Sequence, residues 1–139
     1  MMNAREMADD LEDRLIRFAV RIIRLVDALP KTPSGRHVSH QLLRAGTSGA
    51  PNYGEARGAE SHDDFLHKMK IVQKELNESM IWLKIVDQSD MMKSGKLQDL
   101  KDECRQLCRI FAKAVSTAKQ RRRVASTMRT RLENGEVDD

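Results

Sequence analysis

Apolar residues recur at alternating spacings of four and three in separate tracts of this 139-residue sequence. In the first tract they are Leu11, Leu15, Phe18, Ile22, Leu25 and Leu29. This spacing places them on one face of an α-helix. Similar faces run over residues 65–86 and 97–114, and a shorter one over residues 38–45. The pattern is typical of helices that bury one face against neighbouring helices, and it predicts four of them.

The ends of the first two helices follow from prolines and capping residues. The first helix is predicted for residues 7–29, directly before a proline. Thr32 is a suitable N-cap and Pro33 a suitable first helical residue, so a second helix starts here. Small residues at positions 46–50 allow this helix to pack closely against a neighbour. We expect it to bend near Pro51 and to continue to about residue 57.

The third and fourth helices have their own boundary signals. Ser61 followed by Asp64 resembles a capping box and opens the third helix, which should reach about residue 90. Ser94 and Gly95 mark the next turn. The fourth helix is expected to continue through a run of arginines towards Met128.

Four helices with short connections pack most simply as an antiparallel, up-and-down four-helix bundle. The sequence therefore predicts an all-α fold. We expect a single domain over residues 1–132 and an acidic, disordered tail over residues 133–139.

The positive charge of the chain is concentrated near its C-terminal end. The formal net charge is +4. Residues 119–131 contain six Lys or Arg and no acid, whereas residues 132–139 contain four acids and no base. The rest of the chain is nearly balanced, so the C-terminal region is strongly polarised.

Two groups of cations are candidates for binding phosphates. One lies at spacings of three and four along one side of the first helix. The other comes after the apolar face of the fourth helix in the sequence. The candidate residues are Arg14, Arg17, Arg21, Arg24, Lys119, Arg121, Arg122 and Arg123. Phosphate contacts supply most sequence-independent affinity for nucleic acids, although such stripes are also found on ordinary solvated faces. A basic binding surface is the main functional indication in the composition.

The sequence offers little support for a metal or cofactor site. Cys104 and Cys108 share a helical face but are too few for a zinc site, and we expect reduced, buried thiols. His37 and His40 also share a face, and exposed polar residues are the simpler interpretation. No GxxxxGK loop, GxGxxG turn or GxSxG motif occurs. We therefore expect neither an enzyme nor a cofactor.

The sequence gives no sign of a membrane segment or an export signal. Its apolar runs are far shorter than the roughly 20 residues that span a bilayer. The N-terminal residues are charged and lack an apolar block. We expect a cytoplasmic protein with no membrane partner.

The middle of the chain resembles a known family. The residues that carry the resemblance are Gln41, Leu42, Leu43, Arg44, Ala45, Ser48, Asn52, Tyr53, Glu55, Ala56, Asp64, Phe65, Lys68, Glu75, Leu76, Glu78, Trp82 and Leu83. The chain is similar in them to the four-helix-bundle proteins encoded in intervening sequences of bacterial large-subunit ribosomal RNA genes. That family includes the accessory variability protein of diversity-generating retroelements.

The resemblance implies a four-helix bundle that assembles into a closed, barrel-like homopentamer. For the retroelement members it also implies a basic surface that engages a reverse transcriptase and RNA. The members found in ribosomal RNA genes have no assigned activity, so the resemblance implies a fold more firmly than a function.

Several polar positions of the resemblance are expected to be structural. Asn52 and Glu55 lie in the stretch of small residues, where buried polar groups need partners such as Arg44 or Lys68. We predict that these four residues form a structural polar network rather than a catalytic site. Trp82 is expected in the core or at a subunit interface.

Two hypotheses for function follow. The first is a non-enzymatic, homo-oligomeric accessory protein that binds RNA or another nucleic acid through its basic surface. The alternative is a protein-interaction scaffold for a partner such as a reverse transcriptase, without direct binding of nucleic acid. A metal or small-molecule enzyme would require a bound metal or a polar cavity around Asn52 and Glu55.

Overall fold

The computed structural model describes residues 1–93 and 95–136, which form four α-helices and no strand. The helices are α1 (Ala4–Ala28), α2 (Pro33–Arg57), α3 (His62–Gln88) and α4 (Gly95–Glu133). The predicted helix count and the all-α class are confirmed. The turn signal at Ser94 and the last three residues of the predicted tail lie outside the described residues.

Helix α1 begins earlier than its apolar seam predicted. Asn3 caps it, because the Asn3 side chain accepts a hydrogen bond from the Glu6 backbone N–H at 2.9 Å. The Glu6 carboxylate in turn accepts from the Asn3 backbone N–H at 3.3 Å, which completes a capping box. These caps fix the start of α1 at Ala4.

The predicted caps of α2 and α3 are confirmed. The hydroxyl of Thr32 accepts from the Gly35 N–H at 3.1 Å, with Pro33 as the first helical residue. The hydroxyl of Ser61 accepts from the Asp64 N–H at 3.0 Å. Helix α2 continues through Pro51 to its predicted end, and the bend at this proline stays a prediction.

Helix α4 is longer than expected. It ends at Glu133 rather than near Met128, because neither glycine nor proline occurs between Gly95 and Gly135. Gly135 adopts a left-handed φ of 74°, and the Glu136 N–H donates to the Arg131 carbonyl at 2.9 Å. This arrangement is the usual glycine-dependent stop of a helix.

Ion pairs between neighbouring helices show that the chain runs up and down. Lys101, near the start of α4, pairs with Asp87 at the end of α3. The start of α3 contacts the late part of α4 through His62 and Ala118. These pairings confirm the predicted antiparallel order. Consecutive helices pack closely, whereas α1 and α4 are the least closely packed neighbours.

The core is formed by the predicted apolar seams. Its largest fully buried side chains include Leu15, Phe18, Ile22, Leu42, Leu76, Leu83, Leu107 and Phe111. Helices α1 and α2 approach closely at Gly46, where an added Cβ would lie 2.7 Å from Ile22 Cγ1. The small residues of α2 therefore allow the close packing that the sequence predicted.

The last part of α4 extends beyond the bundle. Ala118 is its last buried residue, and every later described residue is exposed. We call residues 119–133 the α4 arm. At about 1.5 Å per residue the arm protrudes by roughly 22 Å. The C-terminal cations are therefore presented on a helix that packs against little of its own chain.

Candidate nucleic-acid interface

A basic groove lies where the first turns of α3 meet the base of the α4 arm. It has a volume of about 850 Å³. The cations that line it are Lys70, Lys119, Arg121, Arg122, Arg123 and Arg129. Asp63 is the acidic residue in its lining, so the groove carries a strong positive charge. The four cations predicted near residue 120 are thus brought together in a concave surface.

Two contacts hold the walls of this basic groove in place. The ring nitrogen Nε2 of His62 lies 2.9 Å from the Ala118 carbonyl oxygen, to which it donates when protonated. Arg122 Nε donates to Asp63 Oδ1 at 2.6 Å. Because both members of this ion pair are largely exposed, it contributes little to stability. It nevertheless gives Arg122 an acidic partner that its neighbours lack.

The other five cations of the groove are uncompensated. Among residues 1–93 and 95–136, no hydrogen bond or ion pair engages the side chain of Lys70, Lys119, Arg121, Arg123 or Arg129. Lys119 lies four residues before Arg123 on the same helical face, where like charges repel. A bound polyanion would relieve this repulsion, so the groove is suited to a chain of phosphates.

The structure assigns Arg14 of the predicted α1 stripe to a structural contact. Its guanidinium donates to Glu103 of α4 at 2.5 and 3.3 Å and to Gln106 at 3.2 Å. Hydrogen bonding to Glu103 raises the pKa of Arg14 above its usual value, against the opposing effect of burial. Only 22% of the side chain is exposed on either partner of the pair. Arg14 therefore ties α1 to α4 and is poorly placed for phosphates.

The remaining arginines of the stripe lie far from the arm. Arg14 pairs with Glu103, so Arg24 lies about ten residues towards one end of the bundle and Arg121 about eighteen towards the other. At about 1.5 Å per residue, the two groups are separated by roughly 40 Å. The predicted binding residues therefore form two surfaces on one subunit. Arg21 and Arg24 line a different depression, between α1 and α4.

The predicted polar network is divided into separate contacts. Lys68 Nζ pairs with Glu55 Oε2 at 2.7 Å, which raises the pKa of Lys68. The amide of Asn52 donates to the Ser48 carbonyl of its own helix at 2.9 Å. Glu55 is exposed rather than buried, so its predicted need for an internal partner does not arise. Asn52 and Glu55 of α2 therefore have different partners, one on their own helix and the other on α3.

Arg44 belongs to a cluster that the sequence did not predict as a unit. Its guanidinium donates to Glu78 Oε1 at 2.6 Å and lies 3.6 Å from the buried Glu75 carboxylate. The Trp82 indole N–H donates to Glu78 at 3.4 Å, and the His37 ring contacts the Trp82 ring edge-on. The cluster joins α2 to α3 as a surface brace. Half-buried Trp82 packs against the core, as expected.

The two cysteines are free thiols on the bundle side of α4. The Cys104 thiol is buried and donates to the Leu76 carbonyl at 3.5 Å. Its contact with Cys108 and its burial both raise the pKa of Cys104, so it is held as a thiol. The part of the chain that the structure describes contains no cluster of three His, Cys, Asp or Glu side chains able to hold a metal ion.

Lys70 and Arg129 belong to the groove but were not among the predicted site residues. Lys70 is remote in sequence from the arginine run, and the antiparallel pairing of α3 with α4 brings it there. Their place in the groove could have been found from the sequence only by combining the predicted order of the helices with the length of each apolar face.

None of the helices within the described ranges is long and apolar enough to cross a membrane.

The fold and this surface define a class: all-α, four-helix-bundle proteins, here with a basic helical extension. The family model of the 23S rRNA-intervening sequence protein matches residues 10–113. The chain therefore belongs to this family.

A solved structure is also similar. It is a protein of unknown function from the S23 ribosomal protein family of Bacteroides thetaiotaomicron, with 28% sequence identity and a TM-score of 0.72. The match covers 78% of this chain and 97% of that chain. A search of curated proteins finds no match. The family match ends before residue 119, so the α4 arm lies outside it.

Proposed function

We propose that this protein is a non-enzymatic, homo-oligomeric accessory protein that binds RNA through the basic groove and the α4 arm. The observation that carries the proposal is the set of five uncompensated cations in one groove. They lie at the base of an exposed helix, where a long polyanion can approach without rearranging the bundle.

The composition of the groove favours sequence-independent binding. Arginine and lysine bind phosphates by charge and hydrogen bonding. Among the described residues that line the groove, His62 carries the one aromatic ring, so unpaired bases have little surface there on which to stack. We therefore expect affinity that depends steeply on salt and weakly on base sequence.

Exposed apolar residues on the bundle support self-association. Ile16, Val20 and Ile23 lie on α1 at spacings of four and three, and each is more than a third exposed. Leu43 of α2 is similarly exposed. Apolar surface of this kind commonly marks a protein interface. We propose that the bundle assembles into a homopentamer, which would present several arms to one RNA and multiply weak contacts.

The alternative proposal is a protein-interaction scaffold for a partner such as a reverse transcriptase. It is favoured by the depression between α1 and α4, whose floor is apolar rather than charged. Binding of RNA by the arm and binding of a protein by this depression are compatible, because the two surfaces lie at opposite ends of the bundle.

The RNA proposal is tested by removing two uncompensated cations from the arm. We expect the variant Arg121→Ala with Arg123→Ala to bind a fluorescein-labelled RNA at least about tenfold more weakly at low salt. The matched control replaces Arg105 and Arg109, which lie on the bundle part of the same helix, by alanine. Both variants lose the same charge, but only the first alters the groove.

Fluorescence anisotropy gives the affinity, and light scattering in the same buffer gives the mass of the protein. The control is expected to change the affinity by less than about twofold, because exposed charges away from the groove act only through the screened overall field. Equal weakening by both variants would show that the arm has no special role. Absence of RNA binding at low salt by an assembled protein would reject the proposal.

A further inference from the structure

The α4 arm carries large apolar side chains along one of its faces. Val124, Met128 and Leu132 follow one another at spacings of four, which places them on the same side of the helix. Their exposed fractions are 53%, 56% and 76%. Lys119 and Arg123 of the basic groove lie on the opposite side of the arm. The apolar face can therefore be covered by a partner while these cations stay accessible to RNA.

The apolar face of the arm has the shape of a helix-packing site. An open depression of about 430 Å³ runs along it. Four of the lining residues, Arg121, Val124, Ala125 and Met128, follow the spacing i, i+3, i+4 and i+7. Four residues at this spacing form the hole into which one side chain of a facing helix inserts. Because Ala125 is small, the hole has room for a side chain of the size of leucine.

Leu132 of a second copy is the side chain that fits this hole. The apolar face is symmetric about Met128, because Val124 lies four residues before it and Leu132 four residues after it. When two arms lie antiparallel with Met128 beside Met128, Leu132 of each arm comes level with the hole of the other. A parallel pair would place Leu132 beside Leu132 and leave it outside the hole.

The charges of the arm also favour an antiparallel pair. Residues 119–123 contain four cations and no acid, whereas Glu133 and Glu136 lie at the other end. In the antiparallel pair, the acidic end of one arm lies beside the basic start of the other. A parallel pair would bring the cations of both arms together. Glu136 lies 4.0 Å from Arg131 of its own arm, and more than half of each side chain remains exposed.

The arm protrudes far enough to join two bundles in this way. Ala118, the last buried residue of α4, lies ten residues before Met128, whereas the helix ends five residues after it, at Glu133. In the antiparallel pair, the helix of one arm therefore ends about five residues before the bundle of the other copy, or roughly 7 Å. The two arms can lie side by side without a collision between helix and bundle.

We propose that the α4 arms of two copies pair in antiparallel orientation through Val124, Met128 and Leu132. Each copy contributes three large apolar side chains. The interface is small, so the pairing of single chains is weak and depends on protein concentration. If the bundle itself forms an oligomer, several arms act together and join two assemblies more firmly.

The pairing is measured as a doubling of mass by sedimentation velocity over a range of protein concentrations, without RNA. The test variant is Met128→Gln with Leu132→Gln, since glutamine is polar and preserves helix propensity. The matched control is Ser126→Gln with Thr130→Gln, which makes two substitutions at the same spacing on the opposite face of the arm. Circular dichroism of each variant verifies that the helices remain formed.

We expect the test variant to self-associate at least about tenfold more weakly than the unaltered chain, because each substitution removes apolar contacts twice in one pair. The control should stay within about threefold of the unaltered chain. The proposal is overturned if the unaltered chain and the test variant have the same mass at every concentration. Equal weakening by the test variant and the control would also overturn it.

Disulfide formation tests the orientation of the pair. Chains with Val124→Cys and chains with Leu132→Cys, one of them carrying a larger tag, are mixed and oxidised. An antiparallel pair gives the mixed disulfide, whereas a parallel pair gives the two symmetric ones. The unaltered chain, which has Cys104 and Cys108, sets the background.

Predominance of the symmetric disulfides, or a yield no higher than the background, would overturn the antiparallel pair. Neither experiment contains RNA, so this proposal and the RNA proposal fail separately.

Discussion

Replacing Gly46 by alanine tests how closely α1 and α2 approach each other. A Cβ at this position would lie 2.7 Å from Ile22 Cγ1 and 2.8 Å from Ile22 Cγ2, closer than van der Waals contact allows. Ile22 is fully buried in the core and cannot move without displacing its neighbours. Overpacking of this kind typically costs about 1 to 3 kcal/mol.

The substitution also has a favourable component. Alanine is preferred over glycine in a helix interior by about 1 kcal/mol. Subtracting this gain, we expect the free energy of unfolding to fall by up to about 2 kcal/mol. Gly49 provides the control in the same helix, because its added Cβ would lie 3.4 Å from Leu15 Cδ2, an ordinary contact. Gly49→Ala should therefore stabilise the protein by about 0.5 to 1 kcal/mol.

Urea unfolding followed by circular dichroism, at one protein concentration, measures both free energies. Shortening the opposing side chain gives a second control. Ile22→Ala removes both γ carbons that the added Cβ would meet, so it should cost less in the Gly46→Ala background than alone. The account of close packing would be refuted if Gly46→Ala were as stabilising as Gly49→Ala.

Three further predictions concern charge. Arg14→Ala and Glu103→Ala should each lower the free energy of unfolding. Urea unfolding of both single variants and the double variant should give a coupling energy of about 1 kcal/mol between the two residues. Additive effects would show that the two side chains do not interact. Raising the salt concentration fourfold should weaken binding of single-stranded RNA about 100-fold, because five cations give a slope near −3.5 for the logarithm of the affinity against the logarithm of the salt concentration. A salt titration followed by anisotropy measures this slope, and a slope of zero would exclude phosphate contacts. Removing residues 134–139 deletes three acids that follow the arm in the sequence, so anisotropy should show a few-fold higher RNA affinity at low salt and no change at high salt. Unchanged affinity at low salt would show that the acids of the tail do not offset the positive charge of the arm.

Most of the fold could be predicted because its signals are local. The apolar seams gave the number of helices, and Thr32 and Ser61 gave their starts, since a cap depends on residues within one turn. The start of α1 was missed because its cap, Asn3, precedes the first apolar residue of the seam. The predicted end of α4 near Met128 is too early, because the helix continues past the arginines into the first acidic residue of the tail, Glu133, and arginine is a good helix former.

The candidate site was predicted less completely because it depends on contacts between distant residues. Composition identified the cations of the arm, but it could not show that Arg122 pairs with Asp63 or that Arg14 is occupied by Glu103. For the same reason, the residues of the predicted polar network make separate contacts in the structure rather than one connected network. Helical spacing shows which residues share a face, but the register of the neighbouring helix decides which acid each cation meets.

The most direct test of the RNA proposal is hydrogen exchange of the full-length protein with and without RNA, followed by mass spectrometry. The α4 arm packs against little of the bundle, so its amides should exchange faster than those of the core helices in the free protein. We predict that RNA at low salt slows exchange over residues 119–133 and at the start of α3, and that high salt reverses the effect. Unchanged exchange in the arm, with RNA bound, would contradict the central claim.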